Sequence, residues 1–279
     1  MIEAPEATLA RSRDEAAPVG GRRLFPRFGW RAWRVWERDL LAWRKVYATS
    51  LLLNFGEPFM NLLALGFGLG AYVAKLDNVS FAAYIAPGLL CSTCMMGVTF
   101  DAAFGGFERL HDNGVYDALV TGPLEVEDLV GGELLWQMSR SVLYGATFLL
   151  VILALGLVQA WTALLVLPLM VLSGVVFGSA ALVIACFARL QDHLFYYFTL
   201  AITPMFMFSG IFFPVNHLPP AARVVIWLTP LYHFVNVARA MVLGRAGGTS
   251  PLADLAWIAA AACLVLPWPL AAMRRKLMA

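Results

Sequence analysis

The sequence predicts an all-α integral membrane protein with six transmembrane helices, an N-terminal amphipathic interfacial helix and short re-entrant helices between spans 5 and 6. Two observations predict this class. Hydrophobic residues make up 61% of the 279 residues and charged residues only 14%, whereas soluble domains carry about 25% charged residues. Mean hydropathy is +0.74, and the apolar residues are gathered in runs long enough to cross a bilayer.

The N-terminal region predicts a tail followed by a surface helix. Residues 1–28 lack the apolar segment of a cleavable signal peptide and are interpreted as a disordered cytoplasmic tail. Residues 29–47 form a helix with one aromatic or apolar stripe: Trp30, Trp33, Trp36, Leu40, Trp43 and Tyr47. Another face is basic: Arg31, Arg34, Arg38 and Lys45. We expect its rings at the headgroup boundary and its cations on anionic lipid; packing on a soluble core is the alternative.

Six apolar runs have the length of a membrane span, about 20 residues. They are residues 51–73, residues 79–107, two spans within 141–188, residues 194–216 and residues 255–272. The uncharged run 141–188 is too long for one span and is expected to break near residues 156–161. Between spans five and six, residues 217–244 contain an apolar stretch, Val224–Ala238, that is too short to cross. Proline at 219–220 and at 230 suits helix starts, which predicts two short re-entrant helices.

The distribution of Lys and Arg sets the predicted topology. Ten of the 20 basic residues lie in residues 1–45, and six more lie in or beside the even-numbered connections and the tail: Arg109, Arg140, Arg189, Arg274, Arg275 and Lys276. The opposite side keeps four: Lys75, Arg223, Arg239 and Arg245. We therefore expect both termini in the cytoplasm.

The connection after span two, residues 107–141, is a long cytoplasmic segment with an acidic excess. Its acidic residues are Glu108, Asp112, Asp117, Glu125, Glu127, Asp128 and Glu133. A helix is predicted from Glu108 to Leu119, a break at residues 122–123, and a second helix from Glu125. Because acidic residues repel anionic headgroups, this loop suits docking of a protein. A solvated connector is the alternative.

Three stretches resemble the ABC-2-type transporter permeases. Residues 113–133, NGVYDALVTGPLEVEDLVGGE, match a family pattern at Gly114, Leu119, Thr121, Pro123, Leu124, Asp128, Gly132 and Glu133, and depart from it by inserting Gly122 before the proline. Residues 54–70 and residues 189–233 extend the similarity. Together they resemble the NodJ-like branch, permeases that export lipo-chitooligosaccharide nodulation factors.

The resemblance implies the type V exporter fold over residues 29–279, working as a homodimer in the bacterial inner membrane. It implies two copies of a separate NodI-like ABC ATPase that hold the ATP and Mg, with no cofactor on this chain. The loop at residues 107–124 would be the coupling segment, contacting the ATPase through Glu108, Arg109, Asp112, Gly114, Val115, Tyr116, Leu119 and Thr121. Family cargo is lipid-linked or amphipathic saccharide, although some relatives move drugs.

The chain carries no Walker A lysine of its own. Its three lysines follow Arg44, Ala74 and Arg275, whereas the phosphate-cradling loop requires Gly-Lys-Ser/Thr. Energy must therefore come from a partner or an ion gradient. No HExxH zinc motif and no GxSxG nucleophile motif occurs, and neither a metal nor a nucleic-acid partner is expected.

Polar and aromatic residues within the spans are candidates for the substrate path or gate: Glu57, Asp101, Tyr196, Tyr197, Phe198 and Phe206. A carboxylate in hydrocarbon usually faces protein or water, so Glu57 is either a gate or a structural anchor. Asp101 is interpreted as a snorkelling or capping residue, and the tyrosines as ordinary belt residues. In the re-entrant segment we single out Trp227, Tyr232 and His233, with His233 interpreted as hydrogen-bonded at a helix start rather than as a proton relay.

The leading hypothesis is the membrane subunit of an ATP-driven exporter of an amphipathic glycolipid or lipo-oligosaccharide. An ABC-2 exporter of drugs or small amphiphiles is the alternative within the family. Outside it, a proton-driven secondary transporter would use Glu57 as its carrier, and a membrane-embedded lipid enzyme would need a nucleophile–base motif.

Overall fold

The computed structural model describes residues 25–277 apart from 74, 77–78, 113, 121–123, 216–217 and 245–249, and it describes their side chains except at 51, 53–55, 112, 117–118 and 120. Within this part of the chain every regular element is helical, and one isolated bridge joins Leu76 to Val79. The all-helical prediction is confirmed there. Of the predicted disordered tail, residues 1–28, the first 24 lie outside the described residues. Residues 25–28 are described and packed: Pro26 is buried, and Arg27 N–H donates to the carbonyl oxygen of Glu127 at 3.1 Å.

Twelve helices are described, some continued by π-helical or 3₁₀ turns. They are α1 (Trp30–Trp43), α2 (Tyr47–Asn61, continued by Leu62–Gly68 and Leu69–Ala71), α3 (Phe81–Phe100, continued by Asp101–Gly105 and Glu108–Asp112), α4 (Val115–Val120), α5 (Val126–Ala154), α6 (Val166–Phe187, preceded by Trp161–Leu165), α7 (Asp192–Tyr197, continued by Phe198–Ile202), α8 (Thr203–Phe208), α9 (Pro220–Trp227), α10 (Pro230–Leu243), α11 (Pro251–Val265) and α12 (Trp268–Leu277).

Four helical stretches of the described chain are long and apolar enough to cross a bilayer: Phe81–His111, Val126–Ala154, Trp161–Phe187 and Pro251–Leu277. They correspond to predicted spans two, three, four and six. Between the middle two, α5 ends at Ala154 and the chain turns at Gly156, whose φ of 69° suits glycine. The break therefore falls close to the predicted residues 156–161.

Predicted span five is shorter than expected. Residues 192–208 are helical through α7 and α8, a rise of about 25 Å against a hydrocarbon core of about 30 Å. The helix ends because Gly210 follows in the left-handed conformation, with φ of 73°. Predicted span one is the helix of α2 and its continuation through Ala71. The count of six spans stays a prediction.

The cytoplasmic loop also differs from the prediction of one helix over residues 108–119. Glu108–Asp112 continues α3 as a π-helical turn, and a separate short helix, α4, begins after Gly114. Gly114 has a φ of 56°, a conformation that other L residues rarely adopt, so the chain changes direction there.

Helix α3 is the centre of the molecule. In the most apolar part of this helix, 94% of the residues are buried. The helix packs against α5, α6 and α10. An apolar core around Leu89, Met95 and Phe148 surrounds one half of α3. A second core around Ala102, Leu134 and Leu182 surrounds its other end, towards α4 and α12. Displacing α3 would therefore disturb both cores.

Helix α1 docks on α5 through Ala32 and Val35, and Trp36 and Trp43 add contacts to the same helix. The buried side chains of α1 are Ala32, Val35 and Asp39, of which the first two lie against Gly131 and Gly132 of α5. A Cβ atom on Gly132 would lie 2.7 Å from the carbonyl oxygen of Ala32, which is shorter than an ordinary van der Waals contact. The two glycines therefore allow the helices to approach.

The predicted aromatic stripe divides into two parts. Trp30 is 70% exposed and Trp33 is also exposed, so these rings point away from the protein. Trp36 instead donates its indole N–H to Ser139 Oγ at 2.9 Å, and Trp43 packs edge-on against Trp136. Only the first part of the stripe is left for a membrane surface, and that contact stays a prediction.

We expect Gly132→Ala to loosen the docking of α1. The added methyl group overlaps the α1 backbone, and overpacking of this kind destabilises by about 1–3 kcal/mol. Hydrogen exchange of the amides in residues 30–43, measured in detergent or nanodiscs, should speed up.

Gly56→Ala is the matched control, because no atom lies within 4 Å of a Cβ placed at Gly56 of α2 and alanine favours helix over glycine. Unchanged exchange of α1 in Gly132→Ala would contradict the docking mode.

Candidate functional site

Two cavities lie along α3. The first, of about 480 Å³, is called the Glu57 cavity and is lined by Glu57, Pro58, Asn61, Leu89, Ser92, Met96, Phe100, Phe198, Thr203 and Phe206. The second, of about 450 Å³, is called the vestibule and is lined by Asp39, Ala42, Trp43, Val46, Thr49, Ser50, Phe100, Asp101, Gly105, Glu108, Arg109, Trp136 and Arg140. Phe100 lines both, so the two cavities are neighbours separated by one ring.

The Glu57 cavity brings together three residues that the sequence proposed for a substrate path. Glu57 is exposed on its wall, next to Pro58 within α2. Phe198 and Phe206 come from the helix opposite. The Phe198 ring lies 6.0 Å from that of Phe100. This arrangement favours a contact role for Glu57 over a purely structural anchor.

The other two aromatic candidates do not line either cavity. Tyr196 is 63% exposed on the outside of α7, as a residue of an aromatic belt would be. Tyr197 is half-buried and packs against both apolar cores. Of the three adjacent aromatic candidates at residues 196–198, only Phe198 therefore lines a cavity.

The interpretation of Asp101 as a snorkelling or capping residue is wrong. Its carboxylate forms an ion pair with Arg140 and accepts hydrogen bonds from Gln137 Nε2 at 2.8 Å and Trp136 Nε1 at 3.1 Å. Arg140 also donates to Ser50 Oγ at 3.0 Å. Asp101 therefore joins α3 to α5 and, through Arg140, to α2.

Glu133 is the centre of a second buried network. The side chain has no exposed surface, and its two oxygens accept from Arg38 Nη2 at 3.0 Å and Arg109 Nη2 at 2.8 Å. Arg109 Nε donates in turn to the hydroxyl of Tyr116 at 3.1 Å. One carboxylate of α5 thus holds α1, the C-terminal end of α3 and the short helix α4.

Several acidic residues of the loop do not form the docking surface that the sequence predicted. Asp128 and Glu133 are buried, Glu127 forms an ion pair with Arg274, and Glu125 lies 3.9 Å from Arg27. The basic partners come from α12 and from the chain beside α1, far away in the sequence. Charge counting within the loop could not find them.

The proposed coupling residues lie in different environments. Arg109 is largely covered and Tyr116 fully buried, and burial raises the pKa of Tyr116 while the neighbouring Arg109 opposes that rise. Glu108 is exposed, and Gly114, Val115 and Leu119 are half-buried. The side chain of Asp112 and all of Thr121 lie outside the described residues. Arg109 and Tyr116 therefore position the loop rather than present themselves to a partner.

The re-entrant candidates form an aromatic cluster around His233. The ring of His233 stacks on Trp257 with centroids 4.2 Å apart, and Tyr232 and Trp227 pack edge-on against it. Its Nε2 donates to the carbonyl oxygen of Trp227 at 2.7 Å, and its Nδ1 lies 2.6 Å from Asp254 Oδ1. His233 thus ties α9 and α10 to α11.

Comparison with known proteins follows this geometry. The model of the ABC-2 type transporter family matches residues 31–243, a range that contains both cavities and both buried networks. The chain belongs to the ABC-2 type transporter family. The resemblance drawn from its motifs is therefore confirmed.

Curated relatives of this ABC-2 permease extend over most of its length. Nodulation protein J of Rhizobium meliloti (strain 1021) is 35% identical over 257 residues, covering 91% of this chain and 96% of the relative. Nodulation protein J of Rhizobium leguminosarum bv. viciae is 33% identical and covers 94% and 97%. Inner membrane transport permease YadH of Escherichia coli (strain K12) is 20% identical and covers 75% and 82%. The protein is a multi-pass membrane subunit of a transporter.

The ABC-2 permease contains functional groups that the sequence did not single out. Phe100 divides the cavities, and Trp43 with Trp136 forms an aromatic wall of the vestibule. Arg38 was assigned to lipid headgroups, but its guanidinium turns inward to Glu133 and Asp39. The only sequence signal for the pairing of Arg38 with Glu133 is the Gly-Glu at residues 132–133 of the family pattern.

Asp39 is the titratable group of this network. Burial, and next the charge of Glu133, raise the pKa of Asp39 from its ordinary value of 3.8 to about 7, although Arg109 and Arg38 oppose the rise. Docked α1 therefore holds a proton that undocked α1 releases at lower pH. Between the two pKa values the docked state binds more protons, so docking weakens as pH rises and levels off above pH of about 7.

We expect α1 to exchange its amide hydrogens faster at about pH 8 than at about pH 5.5, after correction for intrinsic rates, and Asp39→Asn to flatten this dependence because the amide does not titrate. Glu37→Gln is the matched control, since Glu37 is partly exposed and pairs with Arg34 on the outer face. An equal slope in Asp39→Asn and in the unaltered chain would contradict the assignment.

Proposed function

We propose that this ABC-2 permease is the membrane subunit of an ATP-driven exporter that moves an amphipathic glycolipid or lipo-oligosaccharide from the cytoplasmic side outward. It works as a homodimer in the bacterial inner membrane, with six spans and cytoplasmic termini. Two copies of a NodI-like ABC ATPase bind its cytoplasmic face and hold the ATP and Mg. Relatives named Nodulation protein J support a cargo related to nodulation.

The observation that carries the proposal is the buried connection between α4 and the cavity walls. Tyr116 of α4 is held by Arg109, which is held by Glu133. Arg109 lies on the same continuous helix as Phe100 and Asp101, about 12 Å further along its axis. A partner that displaces α4 therefore acts on the helix that lines both cavities.

Coupling in the assembled exporter follows from this rigidity. An ATPase subunit that grips α4 and the turn at Gly114 pushes Tyr116 against Arg109. The buried ion pairs of Arg109 cannot be broken cheaply, because each would leave an uncompensated charge. The push is therefore passed to α3, and the Phe100 ring shifts between the two cavities.

The pair of cavities supports an amphipathic cargo. Five charged residues line the vestibule and one lines the Glu57 cavity, although most of the lining surface of both cavities is apolar. A polar head and an apolar chain joined in one molecule match this order. A drug or small amphiphile exporter remains the second candidate, because the Glu57 cavity alone has the volume of a small-molecule site, about 300–1,000 Å³.

A proton-driven transporter is less well supported. Two of the buried acids near the cavities, Asp101 and Glu133, are held in ion pairs with arginines that join neighbouring helices, which supports a structural role for both. Glu57 is the one candidate carrier that the sequence proposed. Cargo flux into vesicles that contain the chain but no ATPase would refute the ATP-driven proposal.

We expect Tyr116→Phe to lower cargo-stimulated ATP hydrolysis by about fivefold, the equivalent of one lost hydrogen bond, while the ATPase still co-purifies with the chain. Hydrolysis is measured on the reconstituted complex with and without lipid extract as cargo. Tyr72→Phe is the matched control, because Tyr72 directly follows the last helical turn after α2 and is 88% exposed. Full stimulation in Tyr116→Phe would refute coupling through this side chain.

A further inference from the structure

Several polar side-chain atoms of the vestibule residues form no hydrogen bond within the described part of the protein. Among the described residues, the buried polar atoms without a hydrogen-bond partner include Trp43 Nε1, Arg140 Nε and Asp39 Oδ2, and all three side chains line this one cavity. Two of these atoms are donors. The third is an acceptor when Asp39 is ionised. Buried polar groups of this kind call for a partner that the chain does not supply.

The charges of the vestibule exclude an anionic ligand. Its two arginines are already committed, Arg140 to Asp101 and Arg109 to Glu133. Glu108 adds a further exposed carboxylate on the rim. An incoming phosphate or carboxylate would therefore meet cations that are already paired, which disfavours its binding.

The unused groups fit hydroxyls. A hydroxyl both donates and accepts hydrogen bonds. A ring that carries several hydroxyls can therefore hydrogen-bond to two donors and one acceptor at once. Trp43 and Trp136, with centroids 6.2 Å apart, supply large apolar surfaces. The indole N–H of Trp43 adds a polar contact, whereas that of Trp136 already donates to Asp101. An aromatic ring with a free N–H suits a ligand with one apolar and one polar side. The volume of about 450 Å³ lies in the range of small-molecule sites.

We propose that the vestibule binds the uncharged, hydroxyl-rich saccharide head of the cargo, with Trp43 as its specificity-determining hydrogen-bond donor. The apolar chain of the same molecule lies in the Glu57 cavity, on the other side of the Phe100 ring. This inference rests on the proposed function and names where each half of the amphiphile sits before export. Side-chain rotation at Trp43 turns its covered N–H towards the ligand.

The test is binding of free tetrasaccharides to the purified full-length chain in nanodiscs, measured by isothermal titration calorimetry. Chitotetraose and maltotetraose are the neutral probes, and tetragalacturonate is the anionic probe. Tetraphenylphosphonium, an organic cation that is not a saccharide, is added as a competitor. We expect saturable binding of at least one neutral probe, weaker binding of tetragalacturonate, and no competition from tetraphenylphosphonium.

Trp43→Phe keeps an aromatic ring against Trp136 but removes the indole N–H. It should weaken binding of the neutral probe by about fivefold, as expected for one hydrogen bond. Trp161→Phe is the matched control, since Trp161 is 86% exposed and lies outside both cavities, and it should leave the affinity unchanged. Unaltered hydrogen exchange of α1 in Trp43→Phe shows that the fold is retained.

Three outcomes would overturn the proposal: no saturable binding of either neutral probe, equal affinity in Trp43→Phe and Trp161→Phe, or displacement of the saccharide by tetraphenylphosphonium. Failure of this site and failure of the proposed function are distinguishable. ATP-driven transport that survives while saccharide binding is absent refutes the site alone. Saccharide binding in a chain that transports without an ATPase refutes the proposed function alone.

Discussion

The ion pairs of Glu133 are the interaction on which the half of the permease around α1 and α4 depends. A carboxylate with no exposed surface is tolerable only when it is paired, and here two guanidinium groups share it. Arg38 fixes α1 to α5 and Arg109 fixes the end of α3 and, through Tyr116, the helix α4. Removing either arginine leaves one oxygen of the buried carboxylate without its hydrogen-bond donor, at about 1–3 kcal/mol. Four helices are therefore registered by one side chain.

The same network explains the placement of the cavities. Asp101 and Arg140 hold α3 against α5 just beyond the last ring of the apolar segment, Phe100, so the lining changes from apolar to charged within one residue of the helix. The change coincides with the first π-helical turn of α3, Asp101–Gly105. Such turns often occur at functional sites because they redirect side chains. The change from mainly apolar to charged lining residues therefore lies within one helix, α3.

Local signals in the sequence were sufficient for the elements. Long apolar runs located the four long helices, and Pro220 and Pro230 mark the starts of α9 and α10. Glycine with positive φ ended or separated helices at residues 114, 156 and 210, and the sequence anticipated only the middle one. The end of α8 was missed because the apolar run continues past Gly210, and hydropathy does not register a left-handed turn.

The site was less accessible because its contacts are distant in the sequence. Arg38 and Glu133 are 95 positions apart, and neither residue alone indicates the other. The amphipathic pattern of α1 placed Arg38 on a lipid-facing surface, yet the small residues Ala32 and Val35 turned a different face towards α5. Glu57, Phe198 and Phe206 were found because a polar group or a ring inside an apolar run is conspicuous. Trp43 and Phe100 were overlooked because they look like ordinary interfacial aromatics.

The distance between α1 and its docking surface also has a consequence for biogenesis. Trp36 and its partner Ser139 are 103 residues apart, so the ribosome completes α1 long before Gly131 and Gly132 leave the exit tunnel. During that interval α1 has no protein to cover its indole rings. If α1 binds the bilayer surface as predicted, the membrane would cover these rings until Gly131 and Gly132 of α5 are synthesised and α1 can dock on them.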